Sequence, residues 1–189
     1  MLPIYLASGS PRRAELLTQL GIPFTRLVTN VIEQAQVGED PQAYVIRLSQ
    51  DKSQAGVEIA PENRPVLGAD TIVVVDNLVL EKPHSQADAF TMLRRLSGRT
   101  HQVMTAVTVA NREISKTICI TTDVTFSSLT PEQINRYIDT QEPMDKAGAY
   151  GIQGLGGNFV RHIQGSYSAV VGLPLVETYE LLTDFQLHR

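Results

Sequence analysis

Two arginines stand where a helix start disfavours them. They close the stretch Leu2-Pro3-Ile4-Tyr5-Leu6-Ala7-Ser8-Gly9-Ser10-Pro11-Arg12-Arg13. Ser10 is placed to cap a helix with its hydroxyl, and Pro11 fits the first helical position because its missing N–H has no partner there to lose. Arg12 and Arg13 then fall in the first turn, where the helix dipole is already positive. That placement is unfavourable for stability but suits an anion, because backbone N–H groups and guanidinium forks converge on phosphate. The Gly-Lys-Ser/Thr ending of a P-loop is absent.

Asp70 is the second anomaly. It lies in Leu67-Gly68-Ala69-Asp70-Thr71-Ile72-Val73, and a carboxylate in so apolar a run needs a partner. It reads as a metal ligand or general base, or else as a strand residue bonded to nearby backbone. Gly68 is expected to let a ligand approach. Lys52 shares a helical stripe with Val45, Leu48 and Ala55, so it must snorkel or find an anion. Lys82, in Glu81-Lys82-Pro83, is held extended by the proline that follows. Glu33 lies in a polar stretch and reads as surface. Residues 145–154, Asp-Lys-Ala-Gly-Ala-Tyr-Gly-Ile-Gln-Gly, read as a loop whose backbone passes close to a ligand, or as a turn-rich connection without one. Gln153 offers a donor and an acceptor, the pair needed to read the edge of a base.

The elements that must carry these residues alternate. Strands are expected at 2–7, 24–31 and 66–75, with a return through 78–80 after an Asp76-Asn77 turn. A long hairpin is expected to join 101–110 to 114–126, and a further strand lies near 158–163. Helices are expected at 11–20 and from Pro41 to Gly56. Two more follow the capping boxes Ser85-Gln86-Ala87-Asp88 and Thr130-Pro131-Glu132-Gln133, with Ala89, Met92, Leu93 and Leu96 inward in one and Ile134, Tyr137 and Ile138 in the other. The last runs from Pro174 to Phe185 with Leu175, Val176, Tyr179 and Leu182 as its apolar residues. Strands alternate with helices, yet hairpins are frequent, so the class is α/β with a mixed sheet.

Composition narrows the function. The chain has 189 residues, 42% hydrophobic and 19% charged, and a net charge of −4. That balance argues against a nucleic-acid-binding module, which is normally basic. No run is long enough for a membrane span, and no basic region leads into a long apolar one, so a cytoplasmic location without a secretory signal is expected. The single Cys119 sits in an alternating apolar run and reads as a buried structural thiol. His84, His101, His162 and His188 lack ligand spacing, which disfavours zinc.

Taken in order, Ser8-Gly9-Ser10-Pro11-Arg12-Arg13, Gly68-Ala69-Asp70-Thr71, Glu81-Lys82-Pro83, residues 145–154, Gly165-Ser166-Tyr167 and Val171-Gly172-Leu173-Pro174 resemble the Maf family of nucleotide pyrophosphatases, also described as septum-formation inhibitors. The Gly-Ala-Asp-Thr and Gly-Ile-Gln-Gly forms resemble its dTTP- and UTP-hydrolysing branch. The resemblance spans nearly the whole chain. It implies one Maf-like domain over 1–189, with no separable linker. Its twisted mixed sheet would be flanked by helices, in two lobes around a central cleft, as in inosine triphosphate pyrophosphatases. It implies Asp70 as proton acceptor, Arg12, Thr71 and Gln153 as substrate-determining residues, and Ser8, Arg13, Glu33, Lys52 and Lys82 lining the site, with Lys146 beside them. A divalent cation, Mg²⁺ or Mn²⁺, would be held by Glu33 and Asp70, and the chain would pair as a homodimer. A non-catalytic nucleotide-binding regulator of cell division is the rival reading.

Overall fold

The structure is a computed structural model that describes residues 1–187. Strand β1 (Ile4–Leu6) leads through Ser10, whose hydroxyl accepts from the Arg13 amide, into α1 (Pro11–Gln19). Strand β2 (Phe24–Arg26) follows, and then α2 (Pro41–Ile59), capped by Asp40 on the Ala43 amide. Next come β3 (Val66–Val75), β4 (Leu78–Leu80) and α3 (Gln86–Leu96). Strands β5 (Thr100–Ala110) and β6 (Ser115–Phe126) precede α4 (Pro131–Asp139). Three 3₁₀ turns then lead to β7 (Val160–Gln164), α5 (Tyr167–Val171) and α6 (Leu175–Leu187).

The strands form a mixed sheet in the order β2-β1-β3-β5-β6-β7, with β4 on β3. β1 is parallel to both β2 and β3, whereas β3–β4 and β6–β7 are antiparallel. The tight β3–β4 turn places both Asp76 and Asn77 at positive φ, as a two-residue hairpin loop requires.

The chain divides into two compact units. The first holds Met1–Asp70, Thr105–Ile120 and the segment from Gly172 onward; the second holds Thr71–Met104 and Thr121–Val171. In the first unit α2 lies tightly against the strands. A Cβ on Gly56 would stand 2.5 Å from Val66 Cγ1 and 2.9 Å from Ala7 Cβ. In the second unit α3 and α4 bury the residues expected of them, Ala89, Met92, Leu93, Leu96, Ile134, Tyr137 and Ile138, with Val73, Phe126, Tyr150 and Phe159.

Several expectations are corrected. β2 ends at Arg26 rather than 31, because β1 offers only Ile4, Tyr5 and Leu6 as register partners. Residues 27–40 carry no regular structure, and Val28, Ile32 and Val37 are exposed. α2 continues past Gly56 to Ile59. In α6 the buried residues are Thr178, Leu181, Leu182 and Phe185, while Val176 and Tyr179 face solvent; the stripe follows 178, 181, 182, 185, the spacing of one helix face. Cys119 is only half-buried. Around Ser85 the capping box is incomplete: the serine caps the Asp88 amide, but the Asp88 carboxylate accepts from the His84 amide, not from Ser85. Thr130 and Gln133 form the full box.

Candidate active site

Asp70 lies near the middle of β3, and its side chain is 9% exposed. Its partner comes from α2: Lys52 Nζ donates to Asp70 Oδ1 at 2.7 Å. The same ammonium stands 2.8 Å from Glu33 Oε1. Of the two outcomes open to a lysine on an apolar stripe, Lys52 has found anions. Gly68 makes this possible, for a reason other than ligand approach. A Cβ there would stand 2.6 Å from the Ser49 carbonyl oxygen and collide with the Ser53 amide. The glycine therefore lets α2 lie close enough on β3 for Lys52 to reach Asp70.

Burial pushes the Asp70 carboxyl up, with Lys52 and Arg13 pulling it back and Glu33 adding to the rise; the net direction is upward. Arg13 is buried too. Its Nε donates to the Gly172 carbonyl at 2.8 Å and its Nη1 to Ser8 Oγ at 3.4 Å. Burial lowers its pKa, partly offset by Asp70. Ser8 Oγ also accepts from the Ser10 amide, so the Ser/Gly turn is built around this hydroxyl. Arg12, one residue earlier on α1, is half-buried.

Glu33 lies on the irregular segment 27–40, which is anchored by Arg47 of α2. Arg47 Nε donates to Glu39 Oε1 at 2.6 Å and its Nη2 to the Gln34 carbonyl at 2.9 Å, beside Glu33. Glu39 in turn accepts from the Gln36 amide. The structure thus brings together Ser8, Arg13, Glu33, Lys52 and Asp70 in the first unit.

Two hard oxygen donors converging on one cation form a set that magnesium or manganese accepts, since those ions take one or two protein carboxylates and complete their shell with water and phosphate oxygens. Glu33 and Asp70 fit that description, being the two carboxylates that Lys52 draws together. Among the described residues no group of three or more metal-ligating side chains occurs, so neither carboxylate belongs to an all-protein cage.

The remaining expected residues lie in the second unit. Thr71 follows Asp70 on β3 and is half-buried; Lys82 is exposed beyond β4. Lys146 Nζ is held by the Glu142 carbonyl at 3.1 Å and Asp145 Oδ1 at 2.9 Å. Gln153 is exposed, inside a turn closed by the Gly154 amide on the Gly151 carbonyl. His84 and His162 are exposed, and His188 lies outside the described residues. Arg47, Gly172 and Glu142 were not legible as site-forming residues: the first and last look like surface charges, and Gly172 contributes only its carbonyl.

No helix among the described residues is long and apolar enough to cross a membrane. The family profile described as Maf-like protein matches residues 3–185. A Shigella sonnei protein named dTTP/UTP pyrophosphatase is 59% identical over 189 residues, covering 100% of this chain and 96% of that one. An Escherichia coli K12 protein of the same name has the same identity and coverage. Among solved structures, the Staphylococcus aureus Ham1 protein aligns over 66% of this chain and 72% of its own, at 14% identity and a TM-score of 0.49.

Proposed function

Since the chain belongs to the Maf-like protein family, we propose that it hydrolyses dTTP and UTP to the nucleoside monophosphate and pyrophosphate. The observation that carries this reading is the buried Asp70 carboxylate held by Lys52 Nζ at 2.7 Å, beside Glu33 and within the field of Arg13. Phosphoryl and nucleotidyl transfer rest mainly on positioning and charge stabilisation. Arg12, Arg13 and Lys52 neutralise the phosphates, with Ser8 fixing the Arg13 fork. Lys82 and Lys146 are assigned to the substrate by the family resemblance alone.

Asp70 is the proton acceptor. Water oxygen bonds to the α-phosphorus as its proton passes to an Asp70 oxygen, and the bond from the α-phosphorus to the bridging oxygen breaks to release pyrophosphate. Burial raises the proton affinity of this carboxylate, which suits a base. Glu33 and Asp70 would hold a divalent cation that would neutralise charge on the phosphate oxygens, and because a carboxylate that ligates metal is a poorer base, the two roles of Asp70 compete. Thr71 and Gln153 choose the pyrimidine, since a site that must satisfy its hydrogen bonds rejects a base that leaves them unpaired. We also place the protein in the cytoplasm as a homodimer.

Asp70→Asn tests the reading. Pyrophosphate release from dTTP and UTP with Mg²⁺ is expected to fall about 1,000-fold, within the range for a lost acid–base group, while nucleotide binding measured calorimetrically persists. Turnover close to that of the unmodified protein removes Asp70 from the mechanism. Absence of pyrophosphate release from the unmodified protein leaves a binding protein only.

A further inference from the structure

The glycine-rich stretch reads either as a loop passing close to a ligand or as a turn-rich connection without one; two of its glycines, Gly154 and Gly156, make room for side chains of the protein itself. A Cβ on Gly156 would stand 2.6 Å from the Tyr137 hydroxyl, and one on Gly154 would stand 2.6 Å from Glu142 Oε1 and closer still to Oε2. Both side chains point into the loop and bond its backbone. Glu142 Oε1 accepts from the Tyr137 hydroxyl at 2.6 Å and from the Gly156 amide at 3.1 Å, while Oε2 accepts from the Leu155 amide at 3.0 Å. The Tyr137 hydroxyl accepts from the Gly151 amide at 3.1 Å.

Gln153 lies between these fixed points. The amides of Gly151, Leu155 and Gly156 are tied to the Tyr137–Glu142 pair, and the intervening turn closes on itself through Gly154 N–H and Gly151 C=O. Tyr137 is anchored on α4 and packs edge-on against Phe159, with ring centroids 4.9 Å apart. A glutamine at position 142 could not replace the carboxylate, because a carboxylate only accepts whereas an amide group would turn a donor toward donors.

We infer that Glu142 and Tyr137 are positioning residues for base selection: they form a clasp that fixes the backbone on either side of Gln153 and so sets which base the enzyme prefers. The inference rests on the role given to Gln153 above. The clasp touches no substrate; it acts through the loop.

The experiment compares kcat and KM for dTTP, UTP, CTP and GTP, by pyrophosphate release with Mg²⁺, in the unmodified protein and in Gln153→Ala, Glu142→Gln, Tyr137→Phe and the Glu142→Gln/Gln153→Ala double variant. Both clasp variants are expected to compress the preference for dTTP and UTP over CTP and GTP by about tenfold, the size of one or two lost hydrogen bonds, mainly through KM. The double variant is expected to be no less selective than Gln153→Ala alone. Amide exchange at Leu155 and Gly156 is expected to accelerate in Glu142→Gln. An equal loss for all four nucleotides, an unchanged preference, or unchanged exchange overturns the inference. If Gln153→Ala itself keeps the original ranking, the reading of Gln153 has failed and the inference falls with it. A normal Gln153 effect with silent clasp variants condemns the inference alone. If Glu142→Gln does not fold, Tyr137→Phe decides, since it keeps the ring in the core and removes only the hydroxyl.

Discussion

Lys52 and Glu142 are both charged side chains held by several partners, yet the partners differ in kind. Lys52, in the first unit, is bound by two carboxylates, Asp70 and Glu33. Glu142, in the second, is bound by a phenol and two backbone amides. Charge paired with charge leaves groups that can be handed to a substrate: phosphates can take over the lysine, and a cation can take over the carboxylates. Charge paired with backbone fixes shape instead, because the amides have nowhere else to go once the loop is formed. The first arrangement suits chemistry and the second suits recognition.

The same contrast appears in what each unit buries. Where the first unit buries an ionic pair, the second buries a neutral titratable group. His101 is 2% exposed. Its Nε2 shares a 2.7 Å hydrogen bond with the Tyr150 hydroxyl, and its Nδ1 has no hydrogen-bond partner. Burial lowers its pKa to about 4 from 6.5. The unfolded chain therefore takes up a proton below pH 6.5 that the folded protein refuses. The stability this histidine contributes is present above pH 6.5 and is lost as pH falls toward 4. Linkage puts the loss at roughly 3 kcal/mol. Unfolding free energies from urea titration across that range are expected to show it. His101→Phe is expected to remove this component of the slope, and an unchanged slope would assign the acid sensitivity to other groups.

A smaller effect separates the two glycine contacts. Gly68 faces helix backbone, which cannot step aside, whereas Gly154 faces the end of the Glu142 side chain, which can rotate. Gly68→Ala is expected to cost about 2 to 3 kcal/mol, as overpacking does, and to weaken turnover by lifting α2 and Lys52 from Asp70. Gly154→Ala is expected to cost less in thermal unfolding but to disturb base preference, because the carboxylate it displaces is the clasp. Equal destabilisation of the two variants would erase the distinction.

The core of the candidate site was legible in the sequence because it broke local rules. Asp70 in a β-branched run, Lys52 on an apolar stripe and Arg13 in a first turn are each costly alone, and the structure puts all three costs in one place. Glu33 broke no rule, being an exposed residue of a polar segment, and only the resemblance to a family singled it out. Glu142 was hidden for the opposite reason. Two of its three partners are main-chain amides, which carry no residue type, and its neighbours Gln141 and Asp145 are exposed. The glycines at 68, 154 and 156 were visible, but their cause was not, since a missing Cβ does not say what replaces it. The short β2 was overextended because its limit is set by the length of β1, a pairing that no local pattern encodes.

Arg47 gives the finest test of the contrast, because it is the first unit's counterpart of Glu142. It too is an anchor on a loop: its guanidinium holds the Glu39 carboxylate and the Gln34 carbonyl, adjacent to Glu33. The hydrogen bond from Arg47 holds the Glu39 carboxyl below its ordinary range. If loops in the first unit serve phosphate and cation binding, and those in the second serve the base, the two anchors must fail differently. Arg47→Ala is expected to raise KM a few-fold for every nucleotide alike, the signature of lost uniform binding, and to raise the Mg²⁺ concentration needed for half-maximal rate, with the order of dTTP, UTP, CTP and GTP intact. A change of base order in Arg47→Ala would mean that the first unit also reads the base. A Mg²⁺ requirement left unmoved would separate Glu33 from the cation. Either result would force the division between chemistry and recognition to be redrawn along different residues.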